Sequence, residues 1–406
     1  MRHHYRSLSP SAAVDRREFL KTVGVCSAAL TGGAVLGKPE MVFGSQATPP
    51  PEVETNLADF LKVPRTKFSV PGPFPGRVVK ATEVKSLAGD GFDGKVIDGM
   101  VTRGITSLTG KDLKASFNLF FDKKDIVGIK VNPVGPPLIN TRPEVVDAVV
   151  KWLTHAGLPP ENIVIWDRFD YMLKDAGFTT ARFKGIRVEG LQTMDESEKG
   201  NSWKDKDGNH VSINNFDRDV FLFAKGIVGK NVPNYPNDEF YLNQHVFNGE
   251  YSYFGKLVTQ RLTKIINIAA YKNTGPAISM ATKNIGFGSL CNVGRLHVPL
   301  GLKTNTLVIA APVIRDKMVL NITDGLRGQY EGGPDKNAQF VYANHSLYFA
   351  TDPFALDMVC HNELKEKRRA MGVTVNDNPR FTEYLRYAES LGLGVTDVAK
   401  LTVVKA

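Results

Sequence analysis

Cysteine is scarce in this chain, with three in 406 residues. They are Cys26, Cys291 and Cys360, and no C-x-x-C pair occurs, which excludes a zinc site or an iron–sulfur cluster ligated by cysteines of this chain alone. Histidine offers no substitute, because His155, His210, His245, His297, His345 and His361 show no paired ligand spacing. The glycine patterns that cradle phosphates, G-x-x-x-x-G-K-[ST] and G-x-G-x-x-G, are missing, and so is the G-x-S-x-G elbow of a nucleophilic serine. No strongly apolar run reaches the roughly 20 residues of a permanent bilayer span. Neither sign of charge dominates: 51 basic and 42 acidic residues are interspersed, for a net charge of +9. That balance fits a mild preference for anionic partners and argues against a nucleic-acid footprint.

What is present begins with Asp15-Arg16-Arg17-Glu18-Phe19-Leu20-Lys21, a twin-arginine pattern, followed by an uncharged, Gly- and Ala-rich run from Thr22 to Leu36. This is the layout of a Tat export signal over residues 1–47, with the translocase as a transient partner. Small residues at Ser45 and Ala47 place cleavage before Thr48, and the mature protein is expected to be periplasmic or extracellular. Val25 before Cys26 is bulkier than lipoprotein processing takes. Residues 48–75 are proline-rich and read as an extended arm.

The rest reads as one α/β domain over residues 76–406, organised around Asp125 to Asp167. Ile126-Val127-Gly128-Ile129-Lys130-Val131 is a short apolar run suited to a strand buried on both faces. Thr141-Arg142-Pro143-Glu144 is a capping-box pattern opening an amphipathic helix, and Asn162 to Trp166 is a second strand. A right-handed β-α-β unit of a mostly parallel sheet with helices on both faces follows, and ligands gather beyond the carboxyl ends of such strands. Further strands are expected at Val78–Ala81, Ile186–Leu191, Leu262–Ala270, Met318–Ile322, Leu347–Ala350 and Leu401–Val404. A single helix bent at Pro312 is expected over Thr306–Lys317, a loop over Leu326–Pro334, and a helix capped by Asp352 from Phe354 to Ala370. Residues 193–255, rich in Asn, Asp, Gly and aromatics, read as an insertion with a hairpin turn at Asp207-Gly208.

Five ordered segments resemble motifs of the domain-of-unknown-function 362 family: Val127-Gly128-Ile129-Lys130-Val131-Asn132, Thr282-Lys283-Asn284, Thr323-Asp324-Gly325 with Glu331-Gly332-Gly333-Pro334, Asp352-Pro353-Phe354-Ala355-Leu356-Asp357, and Ala388-Glu389-Ser390-Leu391-Gly392-Leu393-Gly394. The resemblance supports the fold unit and the positions of a site more than it supports a reaction. Many relatives carry a ferredoxin-like cysteine segment, absent here, and a histidine after the lysine that matches Lys272, where this chain has Asn273-Thr274.

Polar residues at the expected strand ends, Lys130, Asn132, Asp167, Arg168 and Lys272, together with Lys283 and Asn284 of the helix that follows and the helix-capping Asp352, form the candidate ligand site. Their ammonium groups and amides suit a carboxylate or phosphate, with the cofactor undetermined. His297, His345 and Asp324 are the candidates for acid–base chemistry. The bland alternative is a structural network in which these cations pair with Asp167, Asp324, Asp352 and Asp357; a divalent metal on those carboxylates is a further option. Three functions stay open: an exported enzyme acting on an anionic small molecule, a noncatalytic accessory of an exported redox system, and a carbohydrate binder using Tyr235, Tyr241, Tyr251 and their aromatic neighbours. Export is directly testable. Replacing Arg16 and Arg17 by lysine should leave unprocessed precursor in the cytoplasm, and a double variant still processed and found outside by fractionation would sink the signal assignment.

Overall fold

The structure, a computed structural model, describes residues 53–192, 215–227, 250–296 and 300–406. The signal pattern, the Asp207-Gly208 turn and His297 lie outside the described residues. In chain order the main elements are β1 (Arg77–Thr82), α1 (Gly94–Thr109), α2 (Leu113–Phe120), β2 (Val127–Lys130), α3 (Pro143–His155), β3 (Ile163–Phe169), β4 (Arg187–Gln192), β5 (Lys264–Thr274), α4 (Ala281–Gly288), α5 (Lys303–Ala310), β6 (Met318–Gln329), β7 (Val341–Ala350), α6 (Pro353–Ala370), α7 (Glu383–Ser390) and β8 (Thr402–Lys405). The strands form one sheet in the order β8-β1-β7-β6-β5-β2-β3-β4. Every neighbour pair is parallel except those made by β7, which runs antiparallel to both β1 and β6.

Alternation along the central strands explains why the sheet is covered twice. Ile129, Ile266, Ile268, Ile322 and Phe349 point into a core closed by α1, α2 and α3. Val164, Trp166 and Ile265 face the opposite core, closed by α4, α5, α6 and α7 through Ile285, Val308, Phe354 and Leu385. Each such buried aliphatic side chain contributes about 1.5–3 kcal/mol.

Four expectations change. Pro312 separates two helices, α5 and Pro312–Arg315, because the residue before proline is pushed out of the helical region; Ala311 has ψ 130°. β6 continues to Gln329 where a loop was expected, since β7 pairs with it as far as Gln329↔Val341. Asp324 and Lys272 therefore lie within strands, not beyond them. Thr141 does not cap α3: the cap position is Arg142, whose side chain takes no part in capping. Cys291 and Cys360 are separate buried thiols.

The arm includes a short helix, Leu57–Lys62, held by the buried Arg315 guanidinium, which donates to the Phe60 and Val63 carbonyls at 3.1 and 3.0 Å. Of the insertion, Phe216–Phe223 and Tyr251–Gly255 form an antiparallel ribbon beside the sheet. No helix among the described residues is long and apolar enough to cross a membrane.

Gly104 on α1 seats the helix against β7, and a Cβ there would stand 2.2 Å from the Phe349 ring. In an open helix, Gly→Ala gains about 1 kcal/mol of propensity. Here the sign should reverse, with Gly104→Ala costing about 1–3 kcal/mol through overpacking, as read from the urea midpoint; a more stable variant would mean that α1 is not seated this tightly.

Candidate functional site

A level row of polar side chains crosses the middle of the sheet. Lys130 of β2 is in register with Trp166 of β3 and with Asn267 of β5, which in turn is level with Asn321 of β6. The sequence marks the two asparagines only as polar interruptions of Ile265-Ile266-Asn267-Ile268 and Val319-Leu320-Asn321-Ile322, and both were missed as site residues. Asn284 Nδ2 donates to Asn267 Oδ1 at 2.8 Å, Asn267 Nδ2 to Asn321 Oδ1 at 2.9 Å, and Asn321 Nδ2 to the Thr351 carbonyl at 3.2 Å.

Lys130 closes this chain of amides. Its Nζ donates to Asn284 Oδ1 at 2.9 Å and to the Val131 carbonyl at 2.7 Å, and pairs with Asp167. Burial lowers the Lys130 pKa and the Asp167 carboxylate opposes the fall. Gly288 of α4 admits the lysine, since a Cβ there would lie 2.4 Å from Lys130 Cε. Lys130, Asp167 and Asn284 are thus brought together, but as a neutralised cluster. Truncating one member of such a buried ion pair costs about 3–5 kcal/mol.

Lys272, near the end of β5, is 1% exposed and differs from Lys130 in its partners. Its Nζ donates to the Val134 carbonyl at 3.1 Å and to Asn132 Oδ1 at 3.4 Å, and no carboxylate pairs with it among the described residues. Asn132 Oδ1 also accepts from Val134 N–H at 3.1 Å, which shapes the loop after β2 around the lysine. Lys283 projects from α4, half-buried, with Nζ 3.5 Å from Thr274 Oγ1 and 5.8 Å from the centre of the Phe287 ring. Burial is the main cause that brings Lys272 down to about 7 and Lys283 to about 8; Asp335 opposes it in both, and Lys283 reinforces it at Lys272.

The turn Gly332-Gly333-Pro334 packs over the end of β5, where Gly333 N–H donates to Asn273 Oδ1 at 2.9 Å. A Cβ on Gly333 would come 2.2 Å from the Asn273 carbonyl oxygen, so only glycine allows this approach. Lys336 Nζ then reaches the Pro136 carbonyl at 2.7 Å, joining this turn to the loop after β2.

The remaining candidates are dispersed. Asp324 accepts from Arg142 N–H at 2.7 Å and from Leu326 N–H at 3.1 Å, so both oxygens hold backbone and the carboxylate caps α3 from another strand. Asp352 lies after antiparallel β7, beside the start of β1, and accepts from Phe354, Ala355, Gly76 and Val395 N–H groups. Asp357 of α6 caps α4 through Ala281 and Thr282 N–H, both at 2.9 Å. Burial pushes all three carboxyls up to about 6. Arg168 stacks on Phe169 at 4.8 Å. His345 sits in a bulge opposite Gly325–Arg327 with φ 53°, its buried Nδ1 without a partner among the described residues. The proposed pairing of lysines with all four aspartates therefore reduces to Lys130–Asp167. No group of three or more His, Cys, Asp or Glu among the described residues could hold a metal ion.

Two clefts of about 520 and 510 Å³ lie away from this region, one between α1 and α3, the other between α6 and α7. Residues 246–362, which include Lys272, Lys283, Asn284 and Asp324, match the model of the family described as Domain of unknown function (DUF362). No curated protein matches the chain.

The Lys272 environment has a signed consequence for stability. Between about pH 7 and the usual lysine range the unfolded chain binds the proton that folded Lys272 has lost, so this group makes stability rise with pH across that window. The stability difference between wild type and Lys272→Met should shift in favour of the wild type from pH 7 to pH 10 in urea titrations; a flat difference would refute the depressed basicity.

Proposed function

We propose that this protein binds a small anion, a carboxylate or a phosphate, at the carboxyl edge of its sheet, with Lys272 and Lys283 as the cationic contacts. The observation that carries this reading is an imbalance. Lys130 has its own carboxylate, whereas Lys272 and Lys283 have no ion-pair partner among the described residues, and the Lys283 charge lowers the basicity of Lys272. Two ammonium groups close enough to act on each other in a poorly solvated place repel, and an anion between them removes that cost while gaining charge-assisted hydrogen bonds. Asp324, Asp352 and Asp357 are committed to backbone N–H groups, and Asp335 acts on both lysines without a salt bridge to either among the described residues. Lys130, Asn284 and Asp167 belong to the support beneath the site, and Asn132 orients Lys272 from the side.

The twin-arginine pattern makes this an exported binding protein or enzyme in our reading, so the ligand would be met outside the cytoplasm. The aromatic ribbon favours no second reading, since Tyr251 and Tyr253 stack with each other and with Phe221 in edge contact.

Titration of the mature protein with phosphate, lactate and pyruvate, followed by thermal denaturation, tests the proposal. An anion that binds should raise the Tm, and Lys283→Met should weaken that binding by about 1.5–3 kcal/mol without lowering the stability of the free protein. If the free variant instead loses about 3–5 kcal/mol and no anion shifts the wild type, Lys283 is framework and the proposal fails.

A further inference from the structure

We propose that the cleft between α1 and α3 is a second binding site, for an apolar carboxylic acid whose hydrocarbon part lies on the cleft floor and whose carboxylate meets the lysines of the rim. It is independent of Lys272 and Lys283. The helices α1, α2 and α3 cover one face of the sheet, whereas α4, which carries Lys283, covers the other.

The floor is apolar because α1 and α3 turn uncharged residues into the space between them. Val101 of α1 and Ala148 of α3 are 2% and 4% exposed, and Trp152 of α3 is 4% exposed. Trp152 is fixed at both ends: its Nε1 donates to the Leu113 carbonyl at 2.9 Å, and its ring stands edge-on to Phe121 at 5.7 Å. The indole is thus a rigid wall. Half-buried Leu113 and Ala156 extend the apolar surface toward the mouth. The volume of about 520 Å³ is that of a small-molecule site, for which roughly 300–1,000 Å³ is usual.

The rim is cationic. Lys114 of α2, Lys123 of the connection to β2 and Lys151 of α3 come from three separate elements, against one carboxylate, Asp98 of α1, which pairs with Lys151. The acids next to the other two lysines in sequence are turned to backbone: Asp112 accepts from Ala115 N–H at 2.7 Å and Asp122 from Lys124 N–H at 2.9 Å. Gly157, at the end of α3, gives Lys123 its place. A Cβ there would stand 3.0 Å from Lys123 Cε, and φ is 100°, so glycine serves both the turn and the lysine that lies over it. Lysine stems add methylene surface to the walls while their heads stay at the mouth.

This pairing of surfaces selects the ligand. An inorganic anion would use the rim and leave the floor idle, and a neutral hydrocarbon would do the reverse. An apolar acid, ionised at neutral pH, uses both and gains charge-assisted hydrogen bonds at the rim. A bilayer surface fits less well, because floor residues no more than 4% exposed are recessed beyond the reach of a flat partner.

Octanoate titrated into the mature wild-type protein by calorimetry, with a diazirine-bearing octanoate for photolabelling, tests the proposal. Octanoate should saturate one site per chain below about 1 mM, with octanol and acetate each bound at least about tenfold more weakly. The label should fall on peptides containing Val101 or Trp152. Lys114→Glu combined with Lys123→Glu, both exposed positions, should weaken octanoate about tenfold or more and leave octanol unchanged. Should that variant fold poorly, the wild-type label still decides. Absence of saturation, or octanol bound as tightly as octanoate, overturns the site. So does a label confined to peptides containing Lys272 or Lys283, which would instead support the anion site there. Sedimentation with anionic phospholipid vesicles in place of octanoate binding would show a membrane contact and overturn it as well.

Discussion

A lysine buried at the centre of a sheet is a demand that the surrounding structure must meet. Lys130 has to be neutralised and supplied with acceptors, and it is, by Asp167 from β3, Asn284 from α4 and its own chain at Val131. Asn284 can serve only because Asn267 takes up its amide, and Asn267 is in turn satisfied by Asn321 and the Ala281 carbonyl. In a low-dielectric interior such a chain is favourable when complete and costly when any member is missing. It therefore couples the register of β2, β5 and β6 to the position of α4, and α4 is what carries Lys283 toward the end of β5.

Carboxylates do a second part of this assembly. Three helices begin without an effective side-chain cap of their own or with one drawn into wider contacts, and each is met by an aspartate. Asp324 reaches the first turn of α3 from β6, Asp357 reaches α4 from α6, and Asp352 caps α6 while also holding Gly76 and Val395. A helix N-terminus favours a negative charge, so each contact ties one element to another and satisfies amides that would otherwise be buried unpaired. The functional consequence is electrostatic. Once these acids are committed to backbone, Lys272 and Lys283 are left without a salt bridge among the described residues, with Asp335 acting on both only from beyond ion-pair distance.

Much of this was legible from residue order. The apolar runs at Val127–Lys130 and Ile163–Trp166, the amphipathic spacing from Val145 to Leu153 and the Asp352-Pro353 start signal correspond to β2, β3, α3 and α6 because short-range periodicity and capping chemistry depend on neighbours in sequence. Lys130 and Lys272 stood out for the same reason, as charges at the ends of apolar runs, and Lys283 by its nearness in sequence to Lys272. The capping-box pattern at Thr141 misled because its hydroxyl had a stronger use: it accepts from Asn132 N–H and donates to the Ile268 carbonyl, neither of them part of the helix that it precedes in sequence.

What the chain order alone determined, then, was a βα-rich domain with lysines at particular strand ends. Which of those lysines is neutralised was decided only in three dimensions. Lys130 and Asp167 are adjacent because parallel strands β2 and β3 lie side by side, and Lys272 lacks such a partner among the described residues because the residue level with it on the neighbouring strand β6 is Gln329, an amide. Periodicity along a chain specifies which way a side chain faces, but the sign of the charge across from it depends on strand order and direction, which long-range packing selects.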